Sequence, residues 1–287
     1  MYRRRGCLFS LCLAFFLFWV SHAIAGQVAG HVDCNKYGCF LHGLAINGEI
    51  DDTTLSELKG LFESFDRQRD PKIQSPDLSG TRINLNSPGG SVAAAMAVGR
   101  LLRANRITAY VEPHASCLSS CVLVLAGAVG RFGQNPLSKV GIHQPYFPVP
   151  NRRVDADEVR KAYASMLNEI RDYLKEMNVS EQLADEMMKT APSNVRYLTA
   201  EEQESYGLSV MDPIERETTA LEQAQKLGLD RNEYNRREAL SRKLCPLNLS
   251  FGRCYNTIMQ TGRLDLPDLS KYGTPVPDLS KYGTPVE

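Results

Sequence analysis

Short apolar runs alternate with amphipathic stretches between residues 40 and 143, and this alternation restricts the possible folds more than any other feature of the chain. Residues 40–50 read as a strand that turns at Asn47-Gly48. Behind Asp51 or Asp52 as a cap, Leu55, Leu58, Leu61, Phe62 and Phe65 recur at helical spacing. A linker over residues 70–80, with Pro71 and Pro76, leads to a short strand at 81–86. A second helix carries Met96, Val98, Leu101 and Leu102, and further strands follow at 107–111 and 139–142. Strand, helix, strand, helix at this spacing predicts an α/β fold built from crossover units around a largely parallel sheet.

Three places on this frame carry chemistry. Between the strand at 81–86 and its helix lies SPGGSV, where Pro88 sets a turn. Gly89 and Gly90 permit positive φ and let a substrate approach the backbone. The strand at 107–111 runs into HASCLSSCVLVLAG, residues 114–127, with adjacent serines between two cysteines ahead of an unbroken apolar segment. Acyl transfer needs a nucleophile, a base, and N–H groups aimed at the developing oxyanion. A serine in the first turn of a buried helix meets the first and last of these, because the N–H groups there have no intrahelical acceptor. Ser119 and Ser120 stand at that position, and His143, ending the strand at 139–142, supplies a base suited to neutral pH. Zinc held by His114, Cys117, Cys121 and His143 is the rival, but the spacing matches no common zinc pattern, so no metal is expected.

INLNSPGGSV, ASCLSSCVLVLAGAVGRFG, VGIHQPYF and RYLTAEEQESYGL, in this order, resemble the ClpP peptidases of the ClpP/crotonase superfamily. The resemblance covers roughly residues 40–212, and the chain is most similar to exported ClpP-like members with a serine between two nearby cysteines. It implies a spiral of βαβ units with a handle helix, and a serine peptidase without a cofactor. Ser119 falls on the family's nucleophile and His143 on its base, while the N–H groups of Gly90 and Ser120 fall on the oxyanion hole. A homo-oligomer acting on peptides or unfolded proteins is implied as well. One position departs from the pattern: where the family has an aspartate, this chain has Val195, which can neither orient an imidazole nor stabilise its charge. Asn194 after a one-residue shift, Ser193 or a backbone carbonyl could take that role. Two readings follow, a Ser-His peptidase with a non-standard third member and a catalytically inactive oligomeric scaffold or peptide-binding protein.

The N-terminus opens with Arg3, Arg4 and Arg5, then an apolar run from Cys7 to Val20 and an Ala23-Ile24-Ala25 site. This order reads as a secretory signal cleaved after Ala25, with an uncleaved membrane anchor as the alternative. Losing residues 1–25 leaves 30 basic against 33 acidic residues, which gives no support for a nucleic-acid partner. Export to the periplasm also removes the ATP that an unfoldase would need, so no ATPase partner is expected. The six remaining cysteines form three close pairs, Cys34 with Cys39, Cys117 with Cys121 and Cys245 with Cys254. Local disulfides are the default in an oxidising compartment, although six cysteines allow fifteen connectivities.

From Asp155 an apolar stripe of Val159, Ala162, Met166, Leu167, Ile170, Tyr173, Leu174 and Met177 predicts a long helix, with a capping box of Asp155 and Glu158. It corresponds to the handle helix of the resemblance. Thr199 with Glu202 predicts a second capping box, closed by Gly207. The expected organisation is a signal peptide at 1–25, a peptidase domain at 26–212, a helical accessory extension at 213–264 and a disordered tail at 265–287. That tail holds a perfect tandem decapeptide, PDLSKYGTPV, rich in proline and glycine.

Overall fold

A computed structural model describes residues 27–69, 77–133, 136–146, 155–245 and 251–263. The expected signal peptide at 1–25, most of the 70–80 linker and the decapeptide tail lie outside the described residues. The chain opens with β1 (Gln27–Asn35) and β2 (Gly38–Asn47), then α1 (Asp52–Gln68), β3 (Arg82–Asn86), α2 (Val92–Ala104) and β4 (Thr108–Tyr110). Next come β5 (Ser116–Leu118), α3 (Cys121–Gly127), β6 (Gly130–Phe132), β7 (Lys139–Ile142), α4 (Ala156–Glu176) and α5 (Gln182–Met188). Last are β8 (Arg196–Tyr197), α6 (Ala200–Tyr206), α7 (Pro213–Lys226), α8 (Arg231–Leu244) and α9 (Phe251–Thr261).

The strands form two sheets, in the order β1-β2-β3-β4-β6 and β5-β7-β8. From β2 to β6 every pairing in the first sheet is parallel, as crossover helices require. β1, absent from the sequence reading, adds an antiparallel edge to β2. Its side chains are mostly exposed and a bulge between Ala29 and His31 breaks the period of two, so no clean alternation marks it. In the second sheet β5 is parallel to β7 and β7 antiparallel to β8. A bridge between Ser87 and Cys117 joins the sheets just beyond the end of β3.

Local chemistry explains most of the helices. Asp51 and Thr54 form a capping box on α1, which buries Leu58, Phe62 and Phe65. Thr199 and Glu202 form the expected box on α6, closed by Gly207 at φ 83°. Asp155 caps α4 by accepting from the Asp157 N–H at 3.2 Å, a shorter reach than the expected box with Glu158. Only the second half of the α4 stripe is fully buried, through Ile170, Tyr173 and Leu174, whereas Val159 is 46% exposed. Tyr173 reaches a notch between α2 and α3, where its hydroxyl donates to the Leu123 carbonyl at 2.7 Å. A Cβ on Gly99 would lie 1.8 Å from that hydroxyl, so the notch requires glycine.

A buried ionic hub ties the end of α4 to α7. Arg131, fully buried, donates to the carbonyls of Ala126, Ala128, Gly207 and Met177 and reaches Asp212 at 3.4 Å. Asp212 also accepts from Arg103 at 2.9 Å and Asn178 at 3.0 Å, and it caps α7. Burial pushes Arg131 down to about 10. Burial opposes ionisation of Asp212, yet hydrogen bonds from Arg103 and Asn178 hold its carboxyl at about 2. Arg106 adds ion pairs to Glu215 and Glu222 of α7, so the first helix of the extension is docked on the body of the protein. The α8–α9 pair encloses a separate small apolar cluster around Cys245, Cys254 and Ile258. Among the described residues no helix is long and apolar enough to cross a membrane.

Candidate active site

The loop after β3 is pinned from both sides. Its Ser87 N–H donates to the Ser116 carbonyl at 2.7 Å, and the Ser87 carbonyl accepts from the Leu118 N–H at 3.0 Å. The Gly89 carbonyl accepts from the Ile50 N–H, and Ser91 N–H donates to the Ile50 carbonyl, both at 2.8 Å. These bonds hold Gly89 at φ 106° and Gly90 at φ 147°. A Cβ at Gly89 would stand 2.6 Å from the Ser119 Cβ, and one at Gly90 would stand 2.2 Å from the Ile50 carbonyl oxygen. Both positions therefore require glycine by space as well as by φ. The PGG turn is pressed directly against Ser119.

Ser119 sits between β5 and α3 at φ 56°, a left-handed conformation that non-glycine residues hold only under constraint. Its N–H donates to the Gly141 carbonyl at 2.9 Å, and its own carbonyl accepts from the Val122 N–H at 3.1 Å. The side chain is half-buried. Ser120 follows as the N-cap of α3, all of whose residues are buried. The Ser120 side chain makes no capping hydrogen bond, and its buried Oγ has no partner. Neither the Gly90 nor the Ser120 N–H is engaged by another group among the described residues. The Ser120 N–H follows Ser119 directly, and the Gly90 N–H belongs to the turn whose Gly89 packs on Ser119.

Cys117 and Cys121 are joined across this turn, both fully buried. Their sulfurs are thus unavailable to the zinc set that includes His114 and His143. Among the described residues no group of three or more His, Cys, Asp or Glu side chains is arranged to hold a metal ion. Cys34–Cys39 closes the β1–β2 hairpin, and Cys245–Cys254 joins α8 to α9.

His143 leaves the end of β7, the strand paired with β5, whose register sets Leu118 beside Gly141. Ser119 and His143 therefore emerge from the same end of neighbouring parallel strands, whose axes lie about 4.8 Å apart. Among the described residues no hydrogen bond joins the two side chains. The imidazole Nδ1 lies 2.9 Å from the Gln144 carbonyl oxygen. A carbonyl only accepts, so this contact protonates Nδ1 and leaves the lone pair on Nε2. Gln144 is itself anchored, its N–H donating to the Thr190 carbonyl at 2.8 Å and its side chain hydrogen-bonding Tyr163 of α4.

β8 explains the departure at the third position. Its antiparallel register pairs Ile142 with Arg196 and Gly141 with Tyr197, so one further step sets Val195 opposite His143. Val195 Cγ1 lies 2.6 Å from where a Gly141 Cβ would stand, on the face that Gly141 and His143 share by alternation. Asn194 belongs to the preceding exposed turn, where its N–H donates to the Ala191 carbonyl at 2.9 Å. Among the described residues its side chain makes no hydrogen bond to His143, and neither does that of Ser193. The Gln144 carbonyl was missed as an individual because a main-chain acceptor leaves no mark on residue type.

A parallel crossover sheet, a glycine turn packed on a serine in a left-handed turn, and a histidine at the adjoining strand end define an α/β protein of the ClpP/crotonase type. A family model described as Clp protease matches residues 74–215, which marks the chain as ClpP-like. The chain is 28% identical over 172 residues to an ATP-dependent Clp protease proteolytic subunit 1 of Corynebacterium glutamicum, covering 56% of this chain and 73% of the relative. It is 25% identical over 170 residues to the protein of the same description from Corynebacterium efficiens, with the same coverage. The family supports a peptidase-like function.

Proposed function

We propose that this protein is an exported serine endopeptidase that cleaves peptides or unfolded chains without an ATPase partner. Nε2 of His143 takes the Ser119 proton, Ser119 Oγ attacks the peptide carbonyl, and the N–H groups of Gly90 and Ser120 receive the oxyanion. His143 then returns the proton to the leaving amine, and water repeats the sequence on the acyl-enzyme. The Gln144 carbonyl holds the imidazole tautomer, a role in which it supplies orientation without the negative charge of a carboxylate.

The observation that carries this reading is the left-handed Ser119 turn packed against Gly89 of the glycine turn. Export is supported by three disulfides, which persist in oxidising compartments. Homo-oligomerisation is supported by Val159, exposed on the first half of α4. The deciding experiment treats purified protein with a fluorophosphonate and with a panel of unstructured peptides. Ser119 is expected to be labelled, and Ser119→Ala to remove both labelling and turnover. A wild-type protein that does neither would leave the alternative, a catalytically inactive oligomeric scaffold or peptide-binding protein, which Val195 favours.

A further inference from the structure

We infer that the Cys117–Cys121 disulfide is the latch that sets the Ser119 turn, so that the enzyme is silent as a dithiol and becomes active when that bond forms. The inference rests on the peptidase reading above. Cys117 lies on β5, fixed by pairing with Val140 and by the bridge to Ser87. Cys121 is the first residue of α3. The disulfide therefore ties the strand that delivers Ser119 to the helix that receives it.

Besides the disulfide the turn is held by main-chain bonds, from the Ser119 N–H to the Gly141 carbonyl at 2.9 Å and from the Val122 N–H to the Ser119 carbonyl at 3.1 Å, with no side-chain bond to reinforce them. The Ser119 side chain has no hydrogen-bond partner among the described residues, and Ser120 gives α3 no side-chain cap. By contrast α2, entered from the glycine turn, begins with a Ser91 Oγ that accepts from the Ala94 N–H at 3.2 Å. A strained conformation persists only when its surroundings over-determine it, and here the covalent bridge supplies what the cap does not. Released from it, Ser119 relaxes toward negative φ, and both its hydroxyl and the following N–H swing away from the glycine turn.

Burial sets the direction of control. Both cysteines are fully buried, so soluble thiols do not reach the bond in the folded protein. Activation is thus a single event during folding rather than a reversible switch. Two thiols give one disulfide, and a disulfide-class oxidant such as oxidised glutathione takes up the two electrons and two protons and leaves as two thiols. A peptidase controlled in this way stays silent in a reducing compartment and starts working after it reaches an oxidising one.

The test compares the oxidised full chain with Cys117→Ala/Cys121→Ala by peptide turnover, fluorophosphonate labelling of Ser119 and thermal melting. A misplaced nucleophile lowers kcat and the labelling rate by roughly 100-fold, with KM held within about twofold. Cys34→Ala/Cys39→Ala, which opens only the β1–β2 hairpin, leaves turnover unchanged. If the Cys117/Cys121 variant labels and turns over like the wild type, the latch is refuted and the peptidase reading stands. If the wild type itself neither labels nor turns over, the peptidase reading fails and the latch falls with it. If the variant does not fold, the reduced wild-type chain is refolded with oxidised glutathione while mass spectrometry follows each bond. Activity then appears together with the Cys117–Cys121 bond, and activity appearing before it overturns the proposal.

Discussion

Val195→Asp restores a carboxylate at the place where β8 faces His143, and its effect can be worked from the register. Facing residues of an antiparallel pair stand about 5 Å apart, so the new carboxylate comes within reach of Nδ1 in competition with the Gln144 carbonyl. At that distance, with an effective dielectric near 20, a full charge pair is worth roughly 3 kcal/mol. Val195 is 39% exposed, so solvent screening reduces this to about 1.4 kcal/mol, a tenfold effect on any step that forms imidazolium. The expected result is kcat higher by about tenfold on a fluorogenic peptide. Because the carboxylate favours the protonated ring, the acidic limb of the kcat/KM profile also moves upward, by about one pH unit. Fold stability changes little, since the position is at the surface. A variant whose kcat and acidic limb both match the wild type, with Ser119 still labelled, would show that residue 195 does not face the imidazole and would refute the register argument.

Three further outcomes are expected. Ser120→Ala removes a buried hydroxyl that has no partner while keeping the backbone N–H, so urea denaturation shows stability unchanged or raised by about 1 kcal/mol, and turnover is kept. Gly89→Ala drives a Cβ into Ser119 and abolishes fluorophosphonate labelling, while circular dichroism keeps the α/β signature. Asp212→Asn leaves Arg131 buried without a counter-charge and lowers stability in urea by about 3–5 kcal/mol. The same carboxyl gives the wild type a pH dependence. Its folded value of about 2 lies below the ordinary 3.8, so its stabilisation, about 2 kcal/mol, is complete above pH 4 and is lost as pH falls toward 2. Denaturation midpoints that stay level from pH 5 to 2 would contradict this.

The sequence by itself determined those features whose cause is local. The cap at Asp51, the box of Thr199 and Glu202, the left-handed Gly207 and the apolar α3 each depend on residues within a few positions of one another. Gly89 and Gly90 belong with them, because a turn that requires positive φ is written in the residue type itself. Ser119 and His143 were nameable as a nucleophile and a base because serine at a helix start and histidine at a strand end are chemical statements. Their adjacency was a different matter.

Only the tertiary structure decided what depends on register and on packing between distant segments. The pairing of β5 with β7 brings Ser119 and His143 out at the same end of neighbouring strands, and the pairing of β7 with β8 sets Val195 opposite that histidine. A shift of one residue in either strand would turn the side chains to the other face, and nothing in the local sequence fixes which register holds. The Gln144 carbonyl could not be read as an acceptor because every residue carries one. Arg131 and Asp212, 81 residues apart, look like ordinary surface charges until α3, α4 and α7 close around them and remove the water. Local chemistry chose the parts of the site, and long-range register and desolvation chose how those parts meet.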